Sequence, residues 1–370
     1  MKVRLGDICN IQYGCAFNST LFTNDNRFPP LIRIRDVKRG YSETFYTGKY
    51  DTNYVVHAGD LLVGMDGEFN IARWRSRDAL LNQRVCKITV RHKIDEEYLR
   101  FALSKALKKI EARTSFVTVK HLSAKELNAL EIESPSLEKQ REISGILTKI
   151  ETMICLYQQQ FIKLDELVKS RFMEMFGDPI VNSKKFKIVQ LNSLGTWQSG
   201  GTPSRFNSAY FQGDIDWYSA GELNVTYLEH SAERITQEAL QKSSAKLFKA
   251  GSMLIGMYDT AAFKMGILKR DSSSNQACAC ITPNTNVNIL WLYHNLQIMK
   301  VSFLQKRRGV RQKNLNLGMI KSLAIPLPPL PLQQQFAAFV KKVDKSKLAV
   351  KQSLEKLETL KKSLMQQYFG

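Results

Sequence analysis

The chain has 370 residues, of which 44% are hydrophobic, so it is long and apolar enough for two domain cores and is not a disordered protein. Its formal net charge of +20 predicts an anionic partner, either nucleic acid or an acidic membrane surface, although an ordinary soluble protein can also be basic. No apolar run approaches the roughly 20 residues of a membrane span, and the basic start lacks the apolar core of a signal peptide. We therefore expect a cytoplasmic protein without a membrane partner.

The cysteines argue against a metal site. Cys278 and Cys280 are close in sequence, but no second pair accompanies them, and a structural zinc site needs two pairs or added histidines. The other four cysteines are scattered. We predict no bound metal, and thiols of the kind that stay reduced in a cytoplasm.

The chain consists of two similar modules in tandem. Asn82 returns as Asn275, a shift of 193 residues (275 − 82), and the same shift relates Gly177 to Gly370. Nearer the start the shift is 186 residues (189 − 3), so the second module is slightly longer. Copies of this length are domains and not the stacked units of a helical solenoid.

The front part of each module, residues 1–134 and 179–327, is predicted to be a mixed α/β head. Short apolar runs bounded by turn residues, such as Leu31–Ile34, Asp60–Val63 and Val85–Val90, are typical of strands. Longer helical stretches follow at Asp95–Ala112 and Leu290–Gln305.

The back part of each module, residues 135–178 and 328–370, is predicted to be one long helix. Apolar residues step alternately by four and three, which is the pattern of a coiled-coil seam. Prolines stand at the start of each segment, and Gly177 ends the first. A helix of about 40 residues spans roughly 60 Å. The predicted seam comprises Ile143, Leu147, Ile150, Ile154, Tyr157, Phe161, Leu164, Val168, Arg171 and Met175 in the first helix and Phe336, Val340, Val343, Lys347, Val350, Leu354, Leu357, Lys361, Leu364 and Tyr368 in the second.

A helix with such a seam needs a partner that hides it from water. The simplest partner is the helix of the other module, because the first helix leads from head one to head two and the second can return antiparallel. Lys347 and Lys361 interrupt the second seam, and a seam lysine fixes register while lowering stability. The predicted fold class is α+β, with two tandem α/β heads joined by two long antiparallel helices that form an intramolecular coiled coil. Helix pairing between two copies of the protein is the alternative.

Short motifs of catalytic sites are missing. We find no phosphate-binding G-x-x-x-x-G-K-[ST], no G-x-G-x-x-G, no H-E-x-x-H, and neither Asn-Pro-Pro-Tyr nor Asp-Pro-Pro-Tyr, the tetrapeptides of adenine methyltransferases. Asp36 and Lys38 match the D-x-K of metal-dependent nucleases, but the equivalent segment of the second module ends in Asn224, so we interpret Asp36 as a loop or strand-end residue. The five histidines are dispersed, and none recurs in the other module. We therefore predict no catalytic residue.

Two similar basic heads on a spacer predict a bipartite DNA target. Lysine and arginine on phosphates supply affinity, whereas arginine on guanine and asparagine or glutamine on adenine supply specificity. Residues 64–82 and 256–275 differ between the heads and are our first candidates for base readout. Any single candidate can instead be an ordinary surface charge, and the prediction rests on the clusters. The candidate DNA-binding residues are Arg33, Arg35, Asn70, Arg73, Arg75, Arg77 and Lys120 in the first head and Tyr258, Lys264, Arg307, Arg308, Arg311 and Lys313 in the second.

Some of these residues recur in both modules. Asn82 and Asn275, each followed by glutamine, are expected to serve the shared fold and not the base readout that differs between heads. Lys120 and Lys313 also recur, and both could hold phosphates.

Several motifs carry a family resemblance. They are the turn Gly59–Leu62, the run Ile325–Leu330 that enters a glutamine-rich helix start at Gln333–Gln335, and the ending Tyr368–Gly370. Together with the tandem organisation, these motifs make the chain resemble the specificity subunits of type I restriction–modification systems. In the first module Glu133–Ser136 replaces the proline-rich helix entry, which affects only the local helix start.

The resemblance implies two target-recognition domains, each of which reads one half of a split DNA sequence. It implies long helices that dock two methyltransferase subunits, and restriction subunits as further partners. S-adenosylmethionine, ATP and Mg²⁺ would belong to those partners, with no cofactor in this chain. A stand-alone bivalent DNA-binding scaffold or regulator of the same shape is the alternative, and an enzyme with an unrecognised site is a third hypothesis.

Overall fold

The structure is a computed structural model that describes residues 1–91, 94–113, 121–305 and 315–370. Its residues divide into two units: unit 1 comprises Met1–Gln159 and Lys351–Gly370, and unit 2 comprises Gln160–Val350. Each unit contains one head and a part of each long helix. Among the helices formed by the described residues, none has the length and apolar character needed to cross a membrane.

The first module consists of short strands, short helices and one long helix. Its strands are β1 Lys2–Arg4, β2 Cys9–Tyr13, β3 Phe22–Thr23, β4 Leu31–Ile32, β5 Phe45–Tyr46, β6 Val55–Val56, β7 Leu61–Gly64, β8 Ile71–Arg73, β9 Ala79–Leu81, β10 Val85–Val90 and β11 Glu131–Glu133. Its helices are α1 Leu5–Ile8, α2 Ile34–Arg39, α3 Glu96–Arg113, α4 Ala124–Ala129 and α5 Leu137–Phe176, with 3-10 turns at Ser19–Leu21 and Thr52–Tyr54.

The second module has the same general plan. Its strands are β12 Lys187–Gln190, β13 Gly195–Ser199, β14 Ile215–Tyr218, β15 Tyr227–Leu228, β16 Glu233–Ile235, β17 Met253–Gly256, β18 Met265–Leu268, β19 Ser273–Ser274, β20 Cys278–Pro283 and β21 Ala324–Leu327. Its helices are α6 Gln237–Gln241, α7 Ile289–Gln305, α8 Leu317–Lys321 and α9 Leu330–Phe369, with 3-10 turns at Leu191–Leu194, Ser208–Phe211, Ala220–Glu222 and Asp259–Ala261.

The main sheets of the two heads have equivalent strand orders. In head one the order is β2-β10-β7-β8, and in head two it is β13-β20-β17-β18 with β15 added parallel to β18. The core of head one lies between this sheet and α3, where Tyr98 and Leu99 pack with Leu61 and Ile88.

The apolar run predicted one strand over residues 31–34, but the structure does not form a single strand there. The strand ends at Ile32, and α2 begins at Ile34. Asp36 is therefore a buried helix residue, and its carboxylate accepts a hydrogen bond from the Arg33 amide at 2.9 Å. Interpreting Asp36 as a loop or strand-end residue was wrong, because its side chain caps the first turn of a helix that a short apolar run does not reveal.

The long helices α5 and α9 pair antiparallel, so the predicted intramolecular coiled coil is confirmed. In unit 1, Lys361 Nζ of α9 donates to Glu151 Oε1 of α5 at 2.6 Å. In unit 2, Lys347 of α9 pairs with Asp165 of α5. Every predicted seam position is buried or half-buried, as expected for residues that lie between two helices.

Each long helix ends on the head of the other module. In unit 2 the ring of Phe176, at the end of α5, lies 6.1 Å from the ring of Trp291 in α7. In unit 1 the ring of Phe369, at the end of α9, lies 5.2 Å from the ring of Tyr98 in α3. These are equivalent contacts, because Phe369 and Trp291 follow Phe176 and Tyr98 by the repeat shift.

A buried glutamine fixes the start of each long helix to its own head. Gln140 Oε1 accepts from the Asp95 amide at 2.8 Å, and Gln333 Oε1 accepts from the Asn288 amide at 2.8 Å. Both glutamine amide groups also donate to the carbonyl oxygen of the proline that precedes the helix. Both modules thus share one buried glutamine that hydrogen-bonds the start of the long helix to the head.

Candidate nucleic-acid interface

In each head, the hairpin of the main sheet is joined to the chain before α4 or α8. In head one the Leu122 amide donates to the Met65 carbonyl, just after β7, at 2.7 Å. In head two the Leu315 amide donates to the Met257 carbonyl, just after β17, at 2.8 Å. The hairpin loop therefore lies beside the chain that directly precedes the short helix in each head, and the loop is the start of the first candidate stretch for base readout.

The tip of the β7–β8 hairpin carries ion pairs that the sequence did not single out. Arg84 and His121 both contact the carboxylate of Asp66, and Lys38 pairs with Glu68 at 3.2 Å. The three cationic or titratable side chains are exposed, and exposed ion pairs contribute little to stability. They were missed because Lys38, Arg84 and His121 are far apart in sequence; only the position of Arg84 directly after the recurring Asn-Gln pair was a possible signal.

Four of the five predicted arginines of head one are exposed, and three of them, Arg33, Arg35 and Arg75, are unpaired or only loosely held within the head. Arg33 and Arg75 have no ion-pair partner in the part of the chain that the structure describes. Arg35 lies 3.5 Å from the Thr44 hydroxyl and 3.8 Å from a carboxylate oxygen of Asp36, so it is only loosely held. These arginines have the accessibility that a phosphate contact requires.

Arg73 and Arg77 are instead held within the head. Arg73 donates to Glu97 at 2.5 Å and to Glu96 at 3.0 Å. The guanidinium of Arg77 donates to the carbonyl oxygens of Asn26 and Phe28, which ties a loop together. The residues next to Arg73 and Arg77 in the sequence do not indicate these partners.

Asn70 is also constrained. Its amide nitrogen donates to the Glu68 carbonyl at 3.0 Å, and its side-chain oxygen is buried without a hydrogen-bond partner among the described residues. This placement makes Asn70 a support of the hairpin loop in the unbound chain.

Arg73 belongs to an ionic network that reaches both long helices within unit 1. Glu97 binds Arg73 and Arg100, and Arg100 donates to Glu151 of α5 at 2.6 Å, which in turn accepts from Lys361 of α9. Burial alone would raise the pKa of Glu151, but the hydrogen bonds from Arg100 and Lys361 outweigh it and hold the pKa below its usual value. The network therefore favours the ionised carboxylates and fixes β8 and α3 to the helix pair.

In head two, the described candidates are Tyr258 and Lys264. Tyr258 is exposed just after β17, and Lys264 Nζ lies 3.4 Å from the Gly221 carbonyl. Burial, followed by the charge of Lys264, lowers the pKa of Lys300, so these two lysines lie near each other. The other candidates lie outside the described residues: Lys120 of head one, and Arg307, Arg308, Arg311 and Lys313 of head two.

The recurring asparagines have matching surroundings that explain their recurrence. A Cβ on Gly14 would lie 2.1 Å from the Asn82 carbonyl oxygen, and a Cβ on Gly200 would lie 2.3 Å from the Asn275 carbonyl oxygen. In both heads a strand end therefore packs directly against the Asn-Gln turn, which only glycine permits. This supports the interpretation that these residues serve the shared fold.

No cluster of three or more histidine, cysteine or carboxylate side chains that could hold a metal occurs among the described residues. The acidic groups around the candidate surface are instead matched with arginine, lysine or histidine. The geometry is that of a polar, ion-paired surface at the tip of a hairpin of the main sheet.

The chain is similar to known proteins over nearly its whole length. A family model described as the type I restriction modification DNA specificity domain matches residues 1–165 and 183–360. The EcoBI type I restriction enzyme specificity subunit of Escherichia coli is 28% identical, with 100% of this chain and 85% of that protein covered. The MjaVIII specificity subunit of Methanocaldococcus jannaschii is 21% identical, with 98% and 90% covered.

A solved structure shows the same fold. The type I restriction–modification S subunit from M. genitalium matches with a TM-score of 0.65 at 13% identity, with 100% of this chain and 96% of that chain covered. The family model fits this chain twice, once for each module, and its two matches span most of the sequence. The chain therefore belongs to the family of type I restriction–modification DNA specificity proteins.

Proposed function

We propose that this chain is the DNA-specificity subunit of a type I restriction–modification complex, and that each head reads one half of a bipartite target. The observation that carries the proposal is the double match of the specificity-domain model, one match to each module. The net charge of +20 supports an anionic partner. Residues 1–134 and 179–327 are the proposed target-recognition domains, and residues 135–178 and 328–370 are the proposed spacer helices.

The proposed reading surfaces are the hairpin loops after β7 and β17 with the chain that each loop binds. Exposed Arg33, Arg35 and Arg75 in head one and Tyr258 in head two supply contacts from described residues. The remaining basic candidates, Lys120, Arg307, Arg308, Arg311 and Lys313, lie outside the described residues and are proposed as DNA contacts from the sequence alone. Different residues at equivalent positions would let the two heads read different half-sites.

The long helices are the proposed docking site for two methyltransferase subunits. Large apolar side chains are exposed along both helices, which is typical of a surface that another protein covers. They are Leu137, Met153, Leu156, Ile162, Leu167 and Met173 on α5 and Leu348 and Leu360 on α9. Methyl transfer from S-adenosylmethionine, and ATP- and Mg²⁺-dependent restriction, would be carried out by these and further subunits in the cytoplasm, with this chain non-catalytic.

Methylome sequencing of the host with and without the gene tests the proposal. We expect one split motif to lose adenine methylation when the gene is deleted and to regain it on complementation. An unchanged methylome would contradict the proposal, as would methyl transfer by the isolated, highly purified chain.

A further inference from the structure

The two ion pairs between the long helices belong to one antiparallel register. Moving forward along α5 from Glu151 to Asp165 corresponds to moving back along α9 from Lys361 to Lys347 by the same number of residues. In both pairs the acid is on α5 and the lysine is on α9. The repeat shift of 193 residues (275 − 82) gives the residue of one helix that corresponds to each residue of the other. Combined with the register, it shows which residues would face each other if one helix took the place of the other.

If α9 replaced α5 on unit 2, the charges would still match. Glu358 is the counterpart of Asp165 and would face Lys347, while Lys361 is the counterpart of Val168 and would face Asp344. If α5 replaced α9, Asp165 would face Ile154 and would lose its ion pair. Polar and charged positions of this kind decide which helices pair in coiled coils.

Asp344 provides an independent indication. It is half-buried on α9 and has no ion-pair partner among the described residues; its carboxylate accepts only from the Tyr227 hydroxyl at 3.3 Å. Burial, the largest effect, raises its pKa. In this register, Val168 of α5 lies opposite Asp344. The residue of α9 that corresponds to Val168 by the repeat shift is Lys361.

The helix ends are also compatible with such a replacement. Phe176 at the end of α5 packs against Trp291 and Phe336 of unit 2. Its counterpart in α9 is Phe369, which already packs against an aromatic ring, Tyr98, in unit 1. The same ring can thus fill the same kind of aromatic pocket in either unit.

We propose that α9 is self-complementary, so that residues 353–369 of a second copy of this chain fit the site that residues 160–176 occupy on unit 2. By contrast, α5 fits only α9. The charged residues in and beside the seam select the partner, namely Asp165, Asp344, Lys347, Glu358 and Lys361. The Asp165–Lys347 pair favours the intramolecular arrangement over exchange between two copies.

Two substitutions that break the same ion pair in the full-length chain test this proposal. In D165K, α5 repels Lys347, whereas α9 of a second copy still offers Glu358. In K347E, both α5 and a second α9 are repelled. We expect the dimer association constant of D165K, measured by size-exclusion chromatography with light scattering, to exceed that of K347E by about tenfold. If the Asp165–Lys347 pair only stabilises the fold, D165K and K347E should have equal dimer association constants.

Two further variants complete the test. Adding E358K to D165K should abolish the dimer, and D165K combined with K347E should restore the monomer. The neutral variants D165N and K347Q make the same comparison with milder changes, in case a charge reversal prevents folding. Equal dimer fractions for the Asp165 and Lys347 variants, or D165K dimers that persist after E358K is added, would overturn the proposal.

Discussion

Arg73 and Arg75 are two positions apart in sequence but have different surroundings. Arg73 is bound by Glu96 and Glu97, whereas Arg75 is exposed without an ion pair in the described part of the chain. The residue type and local pattern are the same, so the difference depends on carboxylates that α3 brings from elsewhere in the sequence. A basic cluster therefore does not identify which of its members bind DNA.

This difference predicts two kinds of mutant. In the assembled complex, Arg33→Ala or Arg75→Ala should weaken DNA binding and reduce the slope of log affinity against log salt by about 1 each, because a phosphate contact is lost. Arg73→Ala should leave the slope unchanged and lower the free energy of unfolding of unit 1 by about 1 kcal/mol, because two partly exposed carboxylates, Glu96 and Glu97, lose a partner. Fluorescence anisotropy across a salt series and chemical denaturation measure the two effects. A reduced salt slope for Arg73→Ala would show that Arg73 contacts DNA after all.

His294 predicts a pH dependence of unit 2. Burial, and then the charge of Lys347, lowers its pKa to about 4 from 6.5, and its Nε2 has no hydrogen-bond partner among the described residues. The folded state therefore keeps the imidazole neutral while the unfolded state takes up a proton below pH 6.5. Stability is lost as the pH falls from 6.5 toward 4.

The variant His294→Phe, which copies Phe101 of the first module, should remove this dependence. Between pH 7 and pH 5, the free energy of unfolding of the wild type should fall by about 2 kcal/mol more than that of the variant. Urea denaturation at the two pH values measures the difference. The raised pKa of Asp344 acts in the opposite direction but is common to both proteins, so parallel pH profiles would show that His294 is not responsible.

At the scale of the elements, glycine has opposite effects in the heads and in the helices. Gly14 ends a strand against the Asn82 carbonyl, where a Cβ would lie at 2.1 Å. Gly145 lies within α5, where nothing approaches an added Cβ within 4 Å. The first glycine is required by close packing, and the second only weakens a helix.

Two alanine substitutions should therefore shift stability in opposite directions. Gly14→Ala should lower the free energy of unfolding by about 2 kcal/mol or more, because the strand end must move away from the Asn-Gln turn. Gly145→Ala should raise it by about 1 kcal/mol. Thermal and chemical denaturation of the full chain measure both effects. Shifts of the same sign would contradict the packing argument.

For the whole molecule, each unit is completed by residues from the other module. Leu364, Met365, Tyr368 and Phe369 pack against the core of head one although they lie at the end of the chain. The end of α5 contributes in the same way to unit 2, where Phe172 and Phe176 belong to the core. The two heads are thus not independent domains on a separate spacer, because the spacer helices supply part of each core.

This arrangement predicts that a change at the end of the chain destabilises the beginning. Phe369→Ala should lower the stability of unit 1 by about 1–3 kcal/mol, because the ring leaves its contact with Tyr98. Hydrogen exchange should accelerate in α3 and not in α7. Leu360→Ala, which removes an exposed side chain from the same helix, is the control. Equal protection of α3 in all three proteins would rule out this coupling.

The amino-acid pattern was enough to predict the tandem modules, the two long helices, the seam and its antiparallel pairing. These features depend on periodicity and on self-similarity, which are local or regular along the chain. The tertiary structure decided which charges are satisfied: Arg73 is bound in a network, Asp36 caps a helix, and Lys347 and Lys361 are matched with Asp165 and Glu151. An ion pair needs two atoms within about 4 Å, and residues far apart in sequence meet that condition only through the packing of the folded chain.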